Sequence, residues 1–569
     1  MEETRSCQNC KKDFNVTRDD SLFYEKIGVP KPKFCPECRY KRRLMNRNEW
    51  NLYRRPCDLC KKNIISIYRE DAVFPVYCRD CWWSDSWDPA TYAREVDFSR
   101  PFFEQFAELH NVVPHIALVT ANNVNSDYSN QSQNNKDCYM VSASNESEKC
   151  LYGNWFQEGC YFSSDCYMVE KCEYCYECMS SARCSKCSYL QDCSDCVSCY
   201  FSSDCRGCTD CFGCVNLRNQ KNCWFNEQLS KEDYQKKFSE FKWTHENINA
   251  VRAEVKKNAK MHPKKFYHGS NNHNFSGDYL ENTEATHESF NCRHNRECNY
   301  SQDAWRAEDC LDLTEILGNE LSYQIQGCAH IRNSITLRSS FHMTDSYYCD
   351  MCQNLSNGFG CMAMRGGEYV ILNKKYSKEE YTELKKKLIE HMKQTGEWGE
   401  FFDSAIIAPF AYNESVIFDY FPLSRTDALG KGYAWYDRPE REYTVTKKVY
   451  ELPKTIAETD DSIMNETIEC LGHTNGTESP TCSKAFRIMQ LELDFYRATG
   501  MPLPQKCFSC RRNDRFALRN PRTLWRRECM CDKAGHNHDG KCPNEFETSY
   551  VSDRPEIVYC ESCYQQEVV

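Results

Sequence analysis

Between Cys160 and Cys223 the cysteines fall at 160, 166, 172, 175, 178, 184, 187, 193, 196, 199, 205, 208, 211, 214 and 223, and every gap is a multiple of three. The other positions in this phase, up to 217, hold Ser163, Val169, Ser181, Leu190, Ser202 and Leu217, all small or apolar. Charged and aromatic residues occupy the places between. One residue in three therefore looks inward. That period fits neither a helix (3.6) nor a flat strand (2). It predicts a narrow β-solenoid, in which very short strands alternate with tight bends around a thin core. Paired CxxC units could create multiples of three by themselves, but the phase recurs where they are rare. Cys292, Cys298, Cys310, Cys328, Cys349, Cys352 and Cys361 keep it, and Ala304, Leu313, Ile316, Ile325, Ile331, Leu337, Met343 and Leu355 fill the inward places between them.

In pattern, though not in descent, this resembles certain insect antifreeze proteins with Cys, Ser and Ala inward at every third place. The solenoid is predicted in two lobes, 125–262 and 263–403. A phase slip between Cys150 and Cys160 marks a bend or bulge. The stretch CFGCVNLRNQKNCWFNEQLSKEDY returns as GFGCMAMRGGEYVILNKKYSKEEY, 147 residues later and without gaps, an internal duplication. Ser230 with Asp233, and Ser377 with Glu380, read as helix N-caps. Each lobe is thus expected to end in an amphipathic helix covering its open edge. The solenoid cysteines are expected mainly as a small-residue core, since free Cys packs as a small hydrophobe.

Both ends of the chain carry knuckle-spaced cysteines. In residues 1–85, Cys7 and Cys10 precede Cys35 and Cys38, and Cys57 and Cys60 precede Cys78 and Cys81. Each set supplies four thiolates for one tetrahedral zinc, a closed structural site with no open position for catalysis. An aromatic collar is expected over 86–124 and an irregular linker over 404–468. Residues 469–569 repeat the N-terminal unit at a constant offset of 472, through Cys10 and Cys482, Cys35 and Cys507, Cys38 and Cys510, and Cys57 and Cys529. Cys7 falls opposite Ser479, so Cys470 is the nearest replacement, with His473 as the alternative. The third site reads as Cys470, Cys482, Cys507 and Cys510, and the fourth as Cys529, Cys531, Cys560 and Cys563. His536, His538 and Cys542 lie between the last knuckles, where they could support a fifth metal or exchange with ligands of the fourth site. The expected architecture is mostly β: tandem zinc ribbons at both termini, about four structural zinc ions, flanking a duplicated solenoid.

The net charge of −11 is uneven. Residues 31–70 carry +8 and residues 506–527 carry +7, on an otherwise acidic chain. Arg39, Arg43 and Arg47 recur every four residues and would form one helical stripe. Arg511, Arg515 and Arg519 copy them, and Arg526 and Arg527 copy Arg54 and Arg55. Guanidinium groups suit phosphate contact, and two basic islands point to a polyanion. The competing reading is that these arginines make salt bridges to the protein's own acids.

No apolar run reaches the ~18–20 residues of a membrane helix, and MEETRSCQNCKKDF has no apolar signal segment. The 41 cysteines are therefore expected as thiols and metal ligands in the reducing cytoplasm, not as the disulfides of a secreted protein. The stretches FCPECRYKRRLMNRNEW, VYCRDCWWSDSWDP, CFGCVNLRN and CPNEFETSYVSDRPEIVYCESCYQQEVV resemble cysteine-rich multi-zinc-ribbon proteins of candidate-phyla-radiation bacteria. That resemblance implies zinc binding and a bacterial cytosolic origin, and it carries over no catalytic residue. HExxH, GxSxG and GxxxxGK[ST] are absent. Pro56-Cys57-x2-Cys60 has the PCxxC form of zinc deaminases, but no H-x-E lies upstream. The function expected is a non-enzymatic scaffold that binds nucleic acid, RNA before DNA. The alternatives are docking on a ribosomal, RNA-polymerase or other protein target, a zinc or thiol reservoir, and a carbohydrate-active solenoid.

Overall fold

The computed structural model describes residues 2–156, 159–169, 172–312, 314–339, 341–402, 404–439 and 442–569. Two β-solenoid lobes form its body. In each, residues twelve apart pair in parallel, as Cys199 does with Cys211 and Cys211 with Cys223. In the second lobe such parallel pairings and a closing antiparallel hairpin build an eleven-stranded sheet among the described residues. The three-residue period thus closes a coil every fourth repeat. The inward cysteines are buried, as are Ala304, Ile325, Ile331, Leu337, Met343 and Leu355. Leu313 lies outside the described residues, as do the side chains of Ile316 and Cys328.

The bends explain why Cys and Ser interchange at inward sites. At most bends the residue before the inward position is left-handed: Asp137, Asp165, Asp192, Asp204, Asp210 and Asn291 have φ between 53° and 64°. Such a backbone is costly for most residues and is eased by Asn and Asp. The inward side chain then donates to the carbonyl two residues back. Cys199 Sγ does so to Val197 at 3.5 Å, and Ser202 Oγ to Tyr200 at 3.1 Å. A thiol and a hydroxyl do the same work there, although the thiol is the weaker donor. Cys160 and Cys172, one coil apart, form a disulfide. The other cysteines whose side chains are described are free thiols.

Each lobe ends in a hairpin. Cys223–Trp224 pairs antiparallel with Glu227–Gln228, and Val370–Ile371 with Lys374–Lys375. Asn226 and Asn373, both left-handed, bond the backbone of the preceding coil through both side-chain atoms. The hairpin therefore closes the ladder's open edge. The Ser-capped helices Lys231–Glu240 and Lys378–Thr395 follow it. They lie against side faces, where Tyr234 meets Trp224 and Tyr381 meets Tyr369.

The terminal units cross over. Helix Pro36–Leu44 of the N-terminal unit sits on the second lobe, and helix Phe508–Phe516 of the C-terminal unit sits on the first. Tyr24 packs edge-on against Tyr323, and Tyr496 against Tyr176. The two tyrosine pairs are related by the same offsets, 472 and 147, that relate the sequence copies. Strand Val76–Tyr77 pairs with His115–Ile116 at the entrance of the first lobe, and Val558–Tyr559 with Lys264–Lys265 at the entrance of the second. The molecule is thus a pseudo-symmetric pair of halves, each a terminal cysteine-cluster unit and a solenoid lobe. Within the stretch 404–468 expected as an irregular linker, residues 404–439 pack between the halves. Tyr412, Ile417 and Phe418 are buried beside Tyr40 and Leu44.

One half-buried histidine joins three parts of this assembly. His268 Nδ1 lies 2.9 Å from Asp278 in its own lobe, and its Nε2 is 3.1 Å from Tyr550 of the C-terminal unit and 3.6 Å from Asp192 of the first lobe. Burial alone would pull its pKa down, but Asp278 and Asp192 hold it up at about 9. A raised folded-state pKa gives stability that is complete below the unfolded value of about 6.5 and is lost as pH climbs through 9. The stability difference between wild type and His268→Gln should therefore shrink by about 3 kcal/mol between pH 6 and pH 10 in urea titrations. A pH-independent difference would show that the imidazole is not charged in the fold.

Candidate metal centres

Four clusters of four cysteines form at the positions where the chain reverses around each ribbon. They are Cys7, Cys10, Cys35, Cys38; Cys57, Cys60, Cys78, Cys81; Cys470, Cys482, Cys507, Cys510; and Cys529, Cys542, Cys560, Cys563. In each, the sulfur atoms lie within 4.8 Å of one another. The local build is the same four times. A helix begins at the third cysteine, which serves as N-cap at Cys35, Cys78, Cys507 and Cys560. The backbone N–H of that residue donates to the first cysteine's sulfur, at 3.3 Å to Cys7, 3.2 Å to Cys57, 3.3 Å to Cys470 and 3.2 Å to Cys529. Cys470 therefore stands where Cys7 stands in the first ribbon, while His473 pairs with Glu478 at the surface.

In each cluster the close-set thiols lower the pKa of some members and raise that of others, and it is the ionised form that binds metal. The neighbouring Cys35 thiol brings Cys38 down to about 5. Burial works against the Cys57 thiolate, yet the N–H of Cys78 leads the contacts that lower it to about 7. Cys482 leads those that bring Cys470 to about 6. Four thiolates in a tetrahedral span suit a soft or borderline divalent ion and leave no position for substrate.

The fourth cluster corrects the sequence reading. Cys542, not Cys531, completes it. The strand pair Tyr53–Pro56 and Asn63–Ser66 recurs as Trp525–Glu528 and Glu545–Thr548. The offset is 472 on the first strand and 482 on the second, so ten residues have been inserted in the knuckle. At offset 482, Cys60, Cys78 and Cys81 match Cys542, Cys560 and Cys563. Cys531, His536 and His538 belong to a separate group with Cys563.

The arginine stripes do not face solvent. Arg39, Arg43 and Arg47 are at most 4% exposed, and Arg511 and Arg515 are 5% exposed. Arg39 meets Asp312 at 2.6 Å, and Arg43 the same carboxylate at 3.4 Å. Arg511 meets Asp165 at 3.1 Å, and Arg515 at 2.6 Å. Asp165 and Asp312 are 147 residues apart, so the two clamps are copies of one contact. Arg47 bonds Glu49 and Gln131. Arg519 lies among Tyr167, Tyr420 and Phe516. Arg55 donates to Asp58 and to the Arg69 carbonyl, and Arg527 to the carbonyls of Tyr550 and Val551. Of the ten arginines expected to contact polyanion, Arg54 and Arg526 are exposed. The physical reason is simple: a stripe at every fourth residue defines a face, and here acidic bends of the solenoid cover it.

These features define a cysteine-rich, mostly β protein with clusters of candidate metal ligands in both terminal units, packed onto a two-lobed solenoid. No family model matches the chain, and no curated protein is similar to it. No helix among the described residues is long and apolar enough to cross a membrane.

Proposed function

We propose that the protein is a non-enzymatic, zinc-dependent scaffold in which the terminal ribbons clamp the two solenoid lobes and present their hairpins to a macromolecular partner. The duplicated burial of Arg39 with Asp312 and of Arg511 with Asp165 carries this reading, because it makes the ribbons structural parts of the body. Many acids on the solenoid surface are already engaged with bases one coil away, as in Lys136 with Glu148 and Arg296 with Glu308. That arrangement favours a scaffold over a carbohydrate-active face of free carboxylates.

Nucleic acid, RNA before DNA, is the partner we propose, through a smaller set of residues than the stripes. Arg54 and Arg526 are copies on equivalent hairpin strands, and both are exposed. Exposed Lys11, Lys12, Lys61 and Lys62 stand on the neighbouring knuckles. RNA retention measured against salt tests this. Each lost phosphate contact should lower the slope of log K against log salt by about 0.7–0.9, so Arg54→Gln with Arg526→Gln should lower it by about 1.4–1.8. If the wild type holds neither RNA nor DNA at low salt, the partner is a protein.

A further inference from the structure

The inserted knuckle of the last ribbon brings together more ligands than one ion can use. We infer that this ribbon holds two metal ions joined by the Cys563 thiolate, one on Cys529, Cys542, Cys560 and Cys563 and the other on Cys531, His536, His538 and Cys563. The inference rests on the zinc-ribbon reading above and adds a site to it.

The donor set closes. Two tetrahedral ions that share one ligand need seven donors, and the structure supplies seven. The ligand atoms of each group lie within 4.8 Å of one another. Cys529, Cys531, Cys542 and Cys563 are at most 3% exposed.

The two imidazoles are oriented as ligands. His538 Nδ1 donates to the Gly540 carbonyl at 2.8 Å, which places the ring's lone pair on Nε2. That Nε2 is buried and makes no hydrogen bond. A buried acceptor without a donor is costly, and a metal ion would satisfy it. His536 Nδ1 is 3.1 Å from Cys531 Sγ, and its Nε2 faces Glu567 at 3.6 Å. A carboxylate behind the far nitrogen is the usual outer support of a metal-bound histidine. Helix Glu561–Val568 carries both Cys563 and Glu567, four residues apart and so on one face. Lys533 holds Glu567 from the other side at 3.1 Å.

The chemistry fits a borderline-soft divalent ion of the zinc class. Five thiolates against two divalent ions leave one net negative charge, where a lone four-thiolate ion leaves two. The N-terminal counterpart, Cys57 to Cys81, lacks the insertion and supplies four donors for one ion. It serves as an internal control.

Cadmium-113 NMR of the full chain, loaded with cadmium in place of the native metal, tests the inference. The expected spectrum has five resonances, four with all-sulfur ligation and one shifted upfield by two nitrogens. The upfield resonance and one all-sulfur resonance should show mutual cadmium–cadmium coupling through the bridging sulfur. His538→Ala should remove the upfield resonance and the coupling and leave the three other all-sulfur resonances unchanged. A wild-type spectrum of four all-sulfur resonances without coupling would overturn the second site while leaving the four-ribbon reading standing. Absence of the all-sulfur resonances would overturn that reading instead.

Discussion

Asp312→Asn is expected to destabilise the folded chain by about 3–5 kcal/mol, the cost of leaving buried charge without its partner. The side chain is fully buried between Arg39 and Arg43, both also buried. Its backbone is left-handed, with φ of 66°, a conformation that Asn keeps. The substitution therefore removes charge without disturbing the bend. Asp165→Asn, with φ of 57° at the equivalent bend, should cost a similar amount through Arg511 and Arg515. The control is Glu308→Gln, which breaks an exposed pair with Arg296 and should cost under about 1 kcal/mol. Urea-unfolding midpoints measure all three. Equal, small shifts would mean that the buried carboxylates do not hold the ribbons.

Stripping the metal is expected to have the larger effect. A terminal unit of about 80 residues buries little apolar surface of its own, and each structural zinc supplies on the order of 10–16 kcal/mol of folding free energy. Without metal, the helices that start at Cys35 and Cys507 lose their anchors, and with them Arg39 and Arg511 leave their aspartates. Hydrogen exchange followed by mass spectrometry should show protection falling across both terminal units after chelation. It should then fall in the coils around Asp165 and Asp312. The inner coils around Cys199 and Cys349 should stay protected, because their bonds run from coil to coil. Terminal units that keep their protection once metal-free would contradict this.

Much of this was legible in the residues. The period of three predicts the solenoid because one residue in three faces the thin core and must be small or apolar. The period leaves the coil length open, since any multiple of three satisfies it; pairing of Cys199 with Cys211 shows it to be twelve. A further signal lay at the position before each inward residue, where Asp and Asn recur as in Asp192, Asp204 and Asp210. It marks the left-handed bends. The first two four-cysteine groupings follow from knuckle spacing; the third needs Cys470 as a stand-in for the position opposite Cys7, and in the last Cys531 mimics a knuckle. There the change of offset from 472 to 482 identifies Cys542 as the true counterpart of Cys60. The arginine stripes show the limit of periodicity. Arg39, Arg43 and Arg47 announce a face, but whether it meets phosphate or carboxylate depends on contacts nearly three hundred residues away in sequence, such as Asp312.

The most direct test of the clamp is a double-mutant cycle between Arg39→Met and Asp312→Asn, read from urea-unfolding midpoints of the metal-loaded chain. If the arginine is held for internal docking, each single change is strongly destabilising and the double change costs about 1–3 kcal/mol less than their sum. If the two costs simply add, Arg39 and Asp312 act independently, and the ribbons are not clamped to the solenoid through this pair.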